Sequence, residues 1–168
     1  MALRKMDGRY RLVALTVFAA MILSALPIPQ WAHVFWPEWV LLVVIYWCLA
    51  MPEKLNIKFA WFVGILSDLL EGSLLGQHAL LYTLIAWLTT YFYQRLRLYP
   101  PHQQVFFIAL LLLIYTMIAI WINSLRLRYS LEMDWSALLP VASSALMWPW
   151  VFAVLRHLRQ KNYAGAQG

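Results

Sequence analysis

Apolar residues in this chain run on in long blocks, and polar residues collect in the gaps between them. Six blocks stand out, at about 12–26, 37–51, 57–75, 79–94, 104–122 and 136–155. The gaps and block ends hold residues that end helices and make turns: Pro27 and Pro29, Pro52, Gly72 and Gly76, Pro100 and Pro101. Blocks of this length and continuity predict membrane-spanning helices, apolar on nearly every side. The second block is short. From Pro37 to Met51 it would reach only about 22 Å at about 1.5 Å per residue, against a hydrocarbon core of about 30 Å. It must begin earlier, thin the bilayer or lean on its neighbours. The opening MALRKMDGRYR with the first block resembles a signal peptide. Pro27, however, occupies the place where cleavage needs small residues, and five further blocks follow, so a retained first helix is expected.

Composition points the same way. Of 168 residues, 64% are hydrophobic and 12% charged, against roughly half and a quarter in a soluble domain. The net charge of +6 does not indicate nucleic acid, because the cations sit at block ends. Arg4, Lys5, Arg9, Arg11, Lys54, Lys58, Arg95, Arg97, Arg156, Arg159 and Lys161 fall in the tails and in every second loop, leaving Arg126 and Arg128 in the others. That is 11 of 13 on one side, which predicts cytoplasmic tails at 1–11 and 156–168. Trp31, Trp36 and Trp39 then form an aromatic belt at the outer interface. The single cysteine, Cys48, lies inside a block and excludes an intramolecular disulfide.

The third block carries the candidate chemistry. Within WFVGILSDLLEGSLLGQH, Gly64, Asp68, Gly72 and Gly76 recur at four-residue steps. On a continuous helix these draw a stripe of small and acidic groups. Ile57, Trp61, Gly64, Ile65, Asp68, Glu71, Gly72 and Leu75 fall within about 60° of the Asp68 direction, with Phe59, Phe62, Val63, Leu66, Leu70 and Leu74 opposite. Ten Leu, Ile, Phe and Val residues favour insertion by roughly 3–6 kcal/mol, and one central Asp opposes it by about 2.5–3.5 kcal/mol. Such a helix depends on its neighbours. Asp68 has three readings: a hydrogen-bonded carboxyl locking helices together, a proton- or ion-coupling group, or a contact to a partner's transmembrane helix. Ser143, Ser144, Tyr82, Thr83 and Arg126 are its candidate internal partners. The glycine spacing favours close helix packing.

Glu71 is expected to be hydrated near the outer interface. Glu38, after Pro37, belongs to a helical first turn, where a carboxylate meets the positive end of the helix. Pro149 removes a backbone donor and frees the carbonyl of Ala145, giving a kink or a partner groove. No catalytic motif is present: no HExxH, CxxC, G-x-S-x-G or phosphate-cradling loop. His33, His78 and His102 are placed in loops and His157 after the last helix, so an intramembrane Ser–His pair, a metal site and a cofactor site are not expected.

The order of motifs resembles the bacterial rod shape-determining MreD family, and most closely its gamma-proteobacterial members. It is carried by Pro37-Glu38-Trp39-Val40-Leu41-Leu42, Tyr46-Trp47 and Leu49-Ala50-x-Pro52. Gly64-x-x-x-Asp68-Leu69, Gly72-Ser73 and Leu75-Gly76 follow, and Trp148-Pro149-Trp150 precedes a basic tail. The resemblance implies a non-enzymatic, multi-pass inner-membrane component of the cell-elongation complex. Its implied partners are MreC through a transmembrane helix, with RodA, penicillin-binding protein 2 and MreB. The implied fold is six helices like those of the substrate-binding components of energy-coupling-factor importers. Asp68, Gly64, Gly72 and Gly76 match the family's acidic and glycine positions, whereas Glu38 stands where relatives carry other polar residues. A different class remains open, a small-solute-binding subunit of a transporter.

Overall fold

The computed structural model describes residues 2–29, 32, 35–127 and 135–164, and the regular structure among them is entirely helical. Six helices of 12 or more residues follow one another: α1 (Ala2–Ser24), α2 (Trp39–Ala50), α3 (Ile57–Glu71), α4 (Gln77–Leu96), α5 (Pro101–Leu127) and α6 (Leu139–Ala164). A 3-10 turn, Trp135–Leu138, leads into α6. Trp31, His33 and Arg128 lie outside the described residues, as do the side chain of Arg126 and the end of the C-terminal tail.

Most of the helices outrun their apolar blocks. α1, α4, α5 and α6 continue into polar flanks because a helix need not stop where hydrocarbon would. α3 does the opposite. It ends at Glu71, where Gly72 takes the left-handed conformation (φ 62°) that closes a helix at little cost when no Cβ is present. Gly76 also has a positive φ, 102°, and stands just before α4. Gly72 and Gly76 therefore belong to a turn. The four-step stripe expected along one helix is real only as far as Asp68.

α2 is the centre of the molecule. Every residue from Val40 to Leu49 is buried, and α1, α4 and α6 pack around it. A helix apolar on all sides is stable only when surrounded, and this one is surrounded by protein. It is about 18 Å long and is packed against α1, α4 and α6. Trp47 fixes it to α1 through an indole N–H donated to Thr16 Oγ1 at 2.9 Å. Ser144 of α6, fully buried, accepts the backbone N–H of Glu38 at 2.9 Å and satisfies a donor that the start of α2 leaves open.

The outside of the bundle carries many large apolar side chains. Phe18, Phe62, Leu69, Trp87, Phe106, Trp121, Leu146 and Trp150 are all at least half exposed, and large exposed apolar surfaces mark membrane or partner contact. Two helical stretches, Pro101–Leu125 and Ser136–Asn162, are long and apolar enough to cross a membrane. Trp36 and Trp39, the described members of the expected belt, meet edge to face with ring centroids 6.0 Å apart. α3 sits at the periphery, where its principal contact is α4.

Candidate functional site

The buried face of α3 consists of Ala60, Val63, Gly64, Ser67 and Asp68. The wheel drawn from sequence is therefore rotated. Val63 is buried, whereas Trp61 and Leu75, assigned to the Asp68 side, are exposed. The burial direction is set by where α4 docks, and α4 docks on Gly64. A Cβ on Gly64 would stand 2.4 Å from Ala79 Cα and 2.7 Å from the His78 carbonyl oxygen. Only glycine lets the first turn of α4 approach this closely.

Asp68, 1% exposed, closes that contact. Its Oδ1 accepts the Ser73 hydroxyl at 2.8 Å, the His78 backbone N–H at 2.8 Å and His78 Nδ1 at 2.9 Å. Its Oδ2 accepts the backbone N–H of Gly76 at 2.8 Å and of Ala79 at 3.3 Å. Gly76 is the N-cap of α4 and has no side chain to satisfy the open N–H groups of the first turn. Asp68 does this from the preceding helix, placing its charge at the positive end of α4. Of the partners expected from sequence, Arg126 has its side chain outside the described residues, and Ser143, Ser144, Tyr82 and Thr83 are not among the groups bonded to Asp68. Ser144 serves Glu38, Ser143 donates to the Pro140 carbonyl at 3.1 Å, and the buried Thr83 hydroxyl has no hydrogen-bond partner among the described residues.

His78, expected in a loop, is instead the second residue of α4 and is buried; His102 likewise lies within the first turn of α5. Because a carboxylate only accepts, His78 Nδ1 carries the proton toward Asp68. Nε2 lies 3.4 Å from Glu71 Oε2, a salt bridge when the ring is protonated. Tyr82 meets the imidazole edge to face at a centroid distance of 5.7 Å. Glu71 is 46% exposed at its side chain. Glu38 lies within electrostatic reach of Glu71 and His78, and its carboxylate caps nothing at the start of α2.

Ser73, His78 and Asp68 thus stand together, but not as a nucleophilic relay. Such a relay needs the base between the hydroxyl and the carboxylate, with one ring nitrogen facing each. Here Ser73 Oγ gives its proton to Asp68 directly, and both Ser73 Oγ (3.2 Å) and Asp68 gather at Nδ1. Nε2 faces Glu71. Among the described residues no group of three His, Cys, Asp or Glu side chains is arranged to hold a metal ion. The chemistry of this cluster is that of a clasp: one carboxylate joins the end of α3, the glycine turn and the start of α4. The sequence signal for it was a helix start at Gly76 with no capping side chain of its own.

At the other end of the bundle Gln104, buried and not singled out by the sequence reading, performs a similar task. Its Nε2 donates to the carbonyls of Leu96 and Tyr99, both at 2.9 Å, and its Oε1 accepts Trp148 Nε1 at 3.2 Å. The α4–α5 turn is thereby held to α6 one residue before Pro149, which lies inside a helix that continues past it.

A helical bundle with many exposed apolar side chains, two helices of membrane length and a buried carboxylate that joins two helices has the features of a helical membrane protein. Residues 6–158 match the family model described as rod shape-determining protein MreD. A rod shape-determining protein MreD from Haemophilus influenzae is 33% identical over 145 residues, covering 84% of this chain and 86% of that relative. The chain belongs to the MreD family of rod shape-determining proteins. No solved structure matches it.

Proposed function

We propose that this chain is a non-catalytic, multi-pass inner-membrane component of the cell-elongation complex, with both termini cytoplasmic, that supports rod shape by assembling with MreC. RodA, penicillin-binding protein 2 and MreB belong to the same assembly, and the six helices are arranged as in the substrate-binding components of energy-coupling-factor importers. Family membership supports the role in cell shape, and the charge asymmetry of 11 cations to 2 supports the orientation.

The observation that carries the assembly reading is the position of α3. Its small-residue face is already filled by α4 at Gly64, so a groove for MreC along that stripe is closed. Its other face leaves Trp61, Phe62, Leu69 and Leu70 exposed at the edge of the bundle. The transmembrane helix of MreC lies along this outer face, and Asp68 acts through α4 by holding α3 in place.

In-membrane cysteine crosslinking tests this. Cysteines replacing Trp61, Phe62, Leu69 or Leu70 should crosslink to the transmembrane helix of MreC, and cysteines replacing Val63 or Ser67 should not. Crosslinks confined to α1 or α5 would sink the α3 assignment while leaving the assembly role intact.

A further inference from the structure

A cavity of about 500 Å³ opens between the end of α2, the α4–α5 turn and the last turns of α6. Three arginines line it, Arg97 from the turn and Arg156 and Arg159 from α6, and no carboxylate does. None of the three makes an ion pair among the described residues, where the close acid–base contacts are those of His78. Three guanidinium groups around one hollow, with Arg97 and Arg156 exposed, make a cationic lining that an anion complements. Their planar, forked donors suit the oxygens of a phosphate.

The hollow is held in shape. Gln104, part of its lining, ties the carbonyls of Leu96 and Tyr99 to the indole of Trp148, so the turn bearing Arg97 is fixed relative to the helix bearing Arg156 and Arg159. Its volume falls within the range of small-ligand sites, roughly 300–1,000 Å³.

The walls distinguish a lipid from a soluble phosphate. Tyr46, Leu49 and Phe152 bring apolar surface into the hollow. Leu98, in the same turn, is 83% exposed, as is Phe106 on the first turns of α5. Cations lining the hollow beside exposed apolar side chains match a ligand with a phosphate head and acyl chains. We infer that this cavity holds the phosphate headgroup of an anionic phospholipid, with its chains running along the outside of α5. Assignment to the cytoplasmic leaflet, where anionic lipid is attracted by basic segments, rests on the orientation proposed above; the site itself does not.

The test is native mass spectrometry and thermal unfolding of the full-length protein, purified in mild detergent and offered phosphatidylglycerol, phosphatidylcholine or inorganic phosphate. Wild type should retain phosphatidylglycerol and be stabilised by it over phosphatidylcholine. Combined Arg97→Gln, Arg156→Gln and Arg159→Gln should lower that retention by about tenfold or more and leave unfolding in phosphatidylcholine unchanged. Lys54→Gln with Lys58→Gln removes two cations outside the lining and should leave the preference intact. Equal retention of the two lipids overturns the proposal, as does an equal loss from the lysine pair. Equal protection by millimolar inorganic phosphate overturns the lipid assignment. If the triple variant does not fold, Arg97→Gln, in the exposed turn, carries the same comparison. Reporter fusions at the termini separately test the leaflet.

Discussion

Asp68 and His78 meet twice: the carboxylate of Asp68 accepts the backbone N–H of His78 at 2.8 Å and its ring Nδ1 at 2.9 Å. The first bond caps a helix and the second fixes an imidazole, both through Oδ1. An acidic residue within an apolar helix usually marks an ion path or a proton relay. Here it is used within the fold, because α4 begins at a glycine that cannot cap itself and a charge-assisted acceptor stands one helix away.

Asp68→Asn keeps the shape of the side chain but turns one acceptor into a donor facing backbone N–H groups. The expected cost is about 2–3 kcal/mol, read as a lowered unfolding temperature in detergent. Co-elution of MreC should fall in step with folded protein. Unchanged unfolding with lost MreC binding would instead make Asp68 a direct contact.

The glycines should separate by mechanism. Gly64→Ala forces a Cβ into the backbone of Ala79 and should cost about 1–3 kcal/mol, since backbone cannot yield as a side chain does. Gly72→Ala meets nothing within 4 Å and should cost only the strain of its positive φ, about 1 kcal/mol. Gly72→Asn should be milder still. Unfolding midpoints for the three variants check the order; equal losses would contradict it.

Gln104→Leu removes two donors and an acceptor in one step and leaves the carbonyls of Leu96 and Tyr99 and the indole of Trp148 without this partner. A loss of about 2–4 kcal/mol is expected. In a double-mutant cycle with Trp148→Phe the two losses should be less than additive. Strict additivity would show that the hydrogen bond between them contributes nothing.

Ser144→Ala should cost about 1 kcal/mol by leaving the Glu38 N–H at the start of α2 without its acceptor. Ser143→Ala, whose hydroxyl bonds only to the carbonyl of Pro140 in its own helix, should cost little. Paired unfolding curves compare them, and a larger effect at Ser143 would refute the assignment.

Much of the architecture was legible in the sequence, for physical reasons. Long apolar blocks separated by Pro and Gly admit little besides helices, and lone Asp68 and Pro149 stood out because they are costly where they stand. The turn at Gly72–Gly76 was legible only in part. Both glycines were seen as turn formers and as members of a helical stripe, and spacing cannot choose between those uses. The left-handed φ of Gly72 made the choice, ending α3 at Glu71 and folding Ser73 and His78 back onto Asp68. His78 was read as a loop residue because the next apolar block begins after it, whereas α4 begins before it.

The sequence by itself determined that the chain is built of long apolar helices broken at Pro and Gly, and to which family it belongs. The tertiary structure alone decided which side of each helix faces protein. It placed short α2 at the centre, docked α4 on Gly64, aimed Asp68 at a neighbouring helix end and gathered Arg97, Arg156 and Arg159 around one hollow. The reason lies in the solvent. In water a helix shows its inner face by its apolar stripe, but lipid is as apolar as leucine, so a membrane helix can be apolar on every side. Direction is then set by packing and by the few polar groups that must find partners, and those partners are brought together only by the fold.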